Sequence, residues 1–179
     1  LNTIAVDADF GIEKILALTI ALLALVVSGF VSGSEIAYFS LTQSQCAELE
    51  ESGKGEPILR LLARPEKLLA TILITNNLVN VTIVVLCNFA LGPVFSSMNP
   101  VLSFILQTVI LTFLILLFGE ILPKLYANNY PVRWASVAAP GINFFMKLFS
   151  PLSRLLVRST SIVNRVVTKQ TEKITPEEL

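Results

Sequence analysis

The residues of this chain that could do chemistry are few, and nearly all are oxygen donors set in apolar surroundings. The first group is Ser28-Gly29-Phe30-Val31-Ser32-Gly33-Ser34-Glu35. At about 100° per helical residue, Ser28, Ser32 and Glu35 share one face. The second is Asn76-Asn77-Leu78-Val79-Asn80, in which Asn76 and Asn80 stand one turn apart and Asn77 points about 100° away. The third is Phe118-Gly119-Glu120-Ile121-Leu122-Pro123-Lys124. Pro123 has no amide hydrogen, so in an α-helix the Gly119 carbonyl, four residues back, loses its partner. A freed carbonyl beside a carboxylate resembles the cation-binding ends of interrupted transporter helices.

Each group also has a plainer structural use. Gly29 and Gly33 form a GxxxG packing seam, and asparagines hydrogen-bond between membrane helices. Glu120 could mark a simple helix stop, its carboxylate snorkelling to the interface. Packing explains one asparagine well and three poorly. Polar groups are costly in hydrocarbon, and an ionisable residue there is a functional candidate by default.

The Ser28 and Ser32 hydroxyls, the Asn76 and Asn80 amide oxygens, the Gly119 carbonyl and the Glu120 carboxylate make a set of hard oxygens without sulfur or imidazole. Such a set suits Mg²⁺ better than Ca²⁺ or Na⁺. Mg²⁺ usually keeps several waters, so a largely dehydrated ion held by protein alone is an uncommon arrangement. A single carboxylate leaves the bound ion with net positive charge, which favours exchange over permanent retention. Glu35, a turn nearer the cytoplasm, is expected to bond backbone amides or Lys124 rather than the ion, because a buried carboxylate needs a partner to stay charged.

Other chemistry is poorly provided for. There are no histidines, so His-based zinc sites, Ser-His dyads and histidine pH switches are out. With no Lys inside an apolar stretch either, Ser32 has nothing to activate it, and the chain is not expected to be an enzyme. Cys46 and Cys87 are the only cysteines, one in a charged loop and one in an apolar run, which argues against a disulfide framework. Lys plus Arg equal Asp plus Glu at 13 each, with no basic excess pointing to a nucleic-acid partner.

The elements that must position these groups are membrane helices. Hydrophobic residues make up 54% of the chain and its mean hydropathy is +0.73, too apolar for an ordinary soluble domain. Ile15 to Phe39 carries one charge, Glu35, and no charge occurs from Leu68 to Gly119. Three spans, over about 15–39, 68–91 and 101–122, each meet the roughly 17–25 residues a bilayer requires, with Gly92-Pro93 and Asn99-Pro100 marking the short loop between the last two. At ~1.5 Å rise per residue the three polar groups all fall in the inner half of the bilayer. The predicted class is an all-α, multi-pass membrane protein.

Orientation follows from the basic residues. Loop 40–67 carries Lys54, Arg60, Arg64 and Lys67, and the region after span three carries Lys124, Arg133, Lys147, Arg154, Arg158 and Arg165, whereas loop 92–100 carries none. The positive-inside rule then places the N-terminus outside and the C-terminus in the cytoplasm. Residues 131–168 read as juxtamembrane or interfacial helices, broken at Pro140-Gly141, because a fourth span would put three arginines outside. Residues 41–64 read as short surface helices whose Ile58, Leu59, Leu61 and Leu62 face the membrane. Phe95, Trp134, Phe144, Phe145 and Phe149 exceed what three short helices can bury alone, which predicts a two-fold homodimer. The polar run Thr175-Pro176-Glu177-Glu178-Leu179 suggests the membrane domain, residues 1–168, of a longer protein.

In sequence order and one per span, SGFVSGSE (28–35), ATILITNNLVN (70–80) and FGEILPK (118–124) resemble the membrane domain of the CorC/CNNM family of magnesium transporters. The likeness covers roughly residues 12–175. It implies a homodimer in the cell membrane with three spans per subunit, and a linker beginning at 169–179 toward cytosolic CBS-pair domains that bind ATP-Mg²⁺. The family's metal ligands fall on Ser28, Ser32, Asn76, Asn80, Gly119 and Glu120, with Glu35, Asn77, Pro123 and Lys124 beside them. The resemblance implies Mg²⁺ export against Na⁺. The alternative is a non-transporting sensor or scaffold in which the ion locks a dimer.

Overall fold

A computed structural model of the chain describes residues 11–53, 55–95 and 99–157. Helices make up the fold, and there is no strand among the described residues. In chain order they are α1 (Ile12–Phe39), α2 (Gln43–Glu51), α3 (Glu56–Leu62), α4 (Pro65–Leu91) and, after a 3₁₀ turn, α5 (Pro100–Leu114). A π-helical segment (Ile115–Ile121) joins α5 to α6 (Leu122–Asn129), and α7 (Pro131–Leu148) follows. After a turn at Phe149 comes α8 (150–157). Three helical stretches are long and apolar enough to cross a membrane: Ile12–Phe39, Pro65–Leu91 and the run Pro100–Asn129. The fold is an all-α membrane protein.

Local sequence sets the helix starts. Thr42 and Gln45 close a reciprocal capping box on α2, satisfying two otherwise orphaned amides. The Asn99 side chain accepts the Val101 amide at the head of α5. Prolines 65, 100 and 131 open α4, α5 and α7, where a missing N–H costs nothing. Gly53, at φ +66°, turns the chain from α2 toward α3 in a conformation that glycine tolerates best.

Helix α1 is the hub, packed against α4, α6, α7 and the π segment. Its glycines allow this. A Cβ on Gly29 would lie 2.9 Å from Pro123 Cγ, and one on Gly33 2.6 Å from the Trp134 ring. Two apolar clusters form along the bundle. One joins Ala21, Ile83, Cys87, Leu111 and Ile115. The other gathers Val31 and Tyr38 with Leu68, Ile72, Ala127 and the inner face of α7. Asn76 and Asn80 of α4 lie between Ile72 of one cluster and Ile83 of the other.

Several expectations are corrected. Pro140 lies inside α7 without breaking it. The helix loses one donor there, and Gly141 lets the Phe30 ring approach to where a Cβ would sit 2.9 Å away, so packing on α1 outweighs the lost bond. Ile58 and Leu61 do not face the membrane but are buried in the cluster with α7. The helix of span three continues past 122 to Asn129, the π segment leading through Pro123 into α6 without a break. Trp134 and Phe145 pack against their own chain's core, whereas Phe144 is exposed. The Phe95 side chain, Arg158, Arg165 and the remainder of 158–179 lie outside what is described.

Candidate metal site between the three spans

Span one contributes Ser28 and Ser32, both fully buried. Span two contributes Asn76 and Asn80, both half-buried, and span three Gly119 and Glu120 from the π segment. The Ser28 hydroxyl lies 3.0 Å from Asn76 Oδ1 and 2.7 Å from Asn80 Oδ1. The amide nitrogens of Asn76 and Asn80 donate to Glu120 Oε1 at 3.4 and 3.3 Å. A carboxylate only accepts, so both Nδ2 atoms must turn to Glu120 and both Oδ1 atoms to Ser28. One hydroxyl proton serves one acceptor at a time, leaving the trio of oxygens richer in lone pairs than in donors.

The Ser32 hydroxyl is buried with no hydrogen-bond partner among the described residues. An unsatisfied buried hydroxyl costs about 1–3 kcal/mol, so its retention calls for a reason. Gly119 brings the third span in closely, for a Cβ there would sit 3.0 Å from Ser28 Oγ and 3.3 Å from Leu25 Cδ1. The i+5 bond from the Leu122 amide to the Leu117 carbonyl defines the π register. In that register the donor missing at Pro123 falls opposite the Phe118 carbonyl, so the expectation that Pro123 frees the Gly119 carbonyl is corrected. Single π turns occur frequently at functional sites.

The neighbours sort clearly. Asn77 turns outward and donates to the Leu73 carbonyl at 2.9 Å, away from the trio. Glu35 pairs with Lys124 at 3.0 Å, so both charges are engaged with each other. Pro123 serves as the contact surface for Gly29. Among the described residues no group of three or more His, Cys, Asp or Glu could hold a metal. Any cation here would depend on hydroxyl, amide and carbonyl oxygens with one carboxylate.

Some polar contacts were not legible beforehand. Trp134 Nε1 donates to Ser34 Oγ at 3.3 Å, Ser34 in turn donates to the Phe30 carbonyl, and Tyr38 donates to the Ala135 carbonyl. The Trp134–Ser34 and Tyr38–Ala135 bonds tie α7 to α1 within two turns of Ser32. Gln107, buried in α5, donates to the Cys87 carbonyl at 3.4 Å. An amide inside a charge-free run was its only sequence signal.

The cyclin M transmembrane N-terminal domain (CNNM) matches residues 19–179. The chain belongs to the CNNM family. Among the relatives of this CNNM domain, a UPF0053 protein of Haemophilus influenzae is 31% identical over 166 residues, covering 89% of this chain and 39% of the relative. The UPF0053 inner membrane protein YfjD of Escherichia coli is 28% identical over 148 residues, covering 82% and 34%. A UPF0053 protein of Synechocystis, sll0260, is 29% identical over 175 residues, covering 87% and 38%. The CNNM domain thus spans between a third and two-fifths of these relatives' length.

Proposed function

We propose that this CNNM domain carries Mg²⁺ through the cell membrane, holding it largely dehydrated among Ser28, Ser32, Asn76, Asn80, the Gly119 carbonyl and Glu120. The observation that carries the reading is the spacing of the oxygen trio. An octahedral shell at 2.0–2.1 Å separates adjacent ligand oxygens by about 2.9 Å, and Ser28 Oγ stands 2.7 and 3.0 Å from its two amide oxygens. The orphaned Ser32 hydroxyl supplies a further oxygen with nothing else to bond. Glu120 supplies the negative charge, and its hold on both Nδ2 atoms aims the amide oxygens at the ion. Mg²⁺ is the transported cargo here, and the direction is export in exchange for Na⁺.

The working unit is a homodimer in which CBS-pair domains, beyond this chain, bind ATP-Mg²⁺. The long exposed apolar faces of α5 suit both lipid and a second subunit. The decisive experiment is Mg²⁺ flux in proteoliposomes made from the full-length protein, with and without an opposing Na⁺ gradient, for wild type and Glu120→Gln. Flux that needs Glu120 and responds to Na⁺ is expected. Mg²⁺-dependent stabilisation without any flux would favour the second reading, a sensor or scaffold. The Trp134–Ser34 and Tyr38–Ala135 bonds favour that reading too, since they connect the site's helix to the juxtamembrane layer.

A further inference from the structure

A cavity of about 910 Å³ opens between the start of α4 and α8, and none of the residues lining it belongs to the oxygen cluster. It falls within the ~300–1,000 Å³ range of small-molecule sites. Arg64, Lys67 and Arg154 line it, against a single acid, Glu66. Lys67 Nζ donates to Ser150 Oγ at 3.1 Å and Arg154 Nε to the Ser150 carbonyl at 3.1 Å, which holds two of the cations toward the same corner. The rest of the lining is apolar, including Pro65, Pro151 and Leu155.

Depth identifies the occupant. Lys67 is followed at once by the charge-free stretch beginning at Leu68, so the basic rim stands at the hydrocarbon boundary on the side rich in Lys and Arg. Leu69 and Leu73 lie one and two turns beyond Pro65 on the same helical face, and both are exposed. A ligand with an anionic head in the cavity would therefore find an apolar track leading into the bilayer. We infer that this cavity binds the phosphate headgroup of an anionic phospholipid of the basic-side leaflet, its acyl chains lying along α4. Basic pockets at the cytoplasmic ends of membrane helices suit such headgroups. The inference is independent of the metal site.

The test uses the full chain in non-ionic detergent, titrated with dioctanoyl phosphatidylglycerol, dioctanoyl phosphatidylcholine or inorganic phosphate, with the unfolding temperature as readout. A saturable rise with phosphatidylglycerol alone is expected. Arg64→Gln and Arg154→Gln, both at exposed positions, should each weaken half-saturation about fivefold, as for loss of one cation near a membrane surface. Arg60→Gln, an exposed residue paired with Glu56 outside the cavity, should not. Native mass spectrometry of protein taken directly from membranes should retain phosphatidylglycerol on wild type and lose it in the Arg64→Gln, Arg154→Gln double variant. Equal shifts from phosphatidylcholine or from phosphate, or double-variant retention equal to wild type, would overturn the inference.

Discussion

Ser28 and Asn80 meet at 2.7 Å across the interface of α1 and α4, and the same asparagine reaches on to Glu120 in span three. A side chain that both donates and accepts is what such a bridge needs, because its neighbours are a hydroxyl and a carboxylate. The link makes Asn80 a structural tie and a candidate ligand together.

Glu120 is the one charged member of the set, so Glu120→Gln should cost more Mg²⁺ affinity than Asn76→Ala or Asn80→Ala. Two unit charges 4 Å apart attract by about 4 kcal/mol at an effective dielectric of 20, while a neutral amide offers only a dipole. We expect a loss on the order of a hundredfold or more for the glutamine against about tenfold for each alanine, consistent with those magnitudes. The measurement is Mg²⁺-dependent thermal stabilisation of the purified domain. An unchanged Mg²⁺ response in Glu120→Gln would remove that carboxylate from the site.

Pro123→Ala restores a backbone donor opposite Phe118 in the π register or Gly119 in the α register. The change should pull 115–121 toward an ordinary α-helix and re-aim Glu120, weakening the Mg²⁺ response. Relief of an interior proline is worth up to about 3 kcal/mol, partly offset by the contact with Gly29 that is lost. Ion-free stability should therefore rise or hold while binding falls. Normal binding in this variant would show that the proline does not set the site's geometry.

Gly119→Ala places a methyl 3.0 Å from Ser28 Oγ, and Gly33→Ala one 2.6 Å from the Trp134 ring. The two should fail differently. Gly33→Ala meets a large rigid ring and should destabilise the fold by about 1–3 kcal/mol, the usual cost of overpacking. Gly119→Ala meets a small hydroxyl and the end of a leucine, so the fold should survive while the Mg²⁺ response drops. Thermal unfolding with and without Mg²⁺ separates the cases, and similar melting curves for both variants would contradict the assignment.

The Glu35–Lys124 pair, 3.0 Å apart with each side chain about a third exposed (35% and 33%), should contribute little to stability. A double-mutant cycle with Glu35→Gln and Lys124→Gln should yield a coupling below about 1 kcal/mol that shrinks with added salt. Glu35→Gln should leave Mg²⁺-dependent stabilisation near wild type. A collapse of that response would bring Glu35 into the ion's path.

Composition and spacing by themselves determined three spans, the face shared by Ser28 and Ser32, the outward turn of Asn77 and the need of Glu35 for a partner, left open between backbone amides and Lys124. These follow from periodicity and from the cost of lone polar groups in hydrocarbon, which are local properties. Tertiary structure alone decided the rest. The π register over 115–121 appears only in the folded chain, where Pro123 also packs against Gly29. Pro140 stays within α7 because Gly141 seats against Phe30, and Ile58 and Leu61 turn inward because α7 covers them. The Ser32 hydroxyl is orphaned only once three helices close around it. Sequence specifies which side chains are costly to leave alone, and packing between distant segments decides which of them find partners.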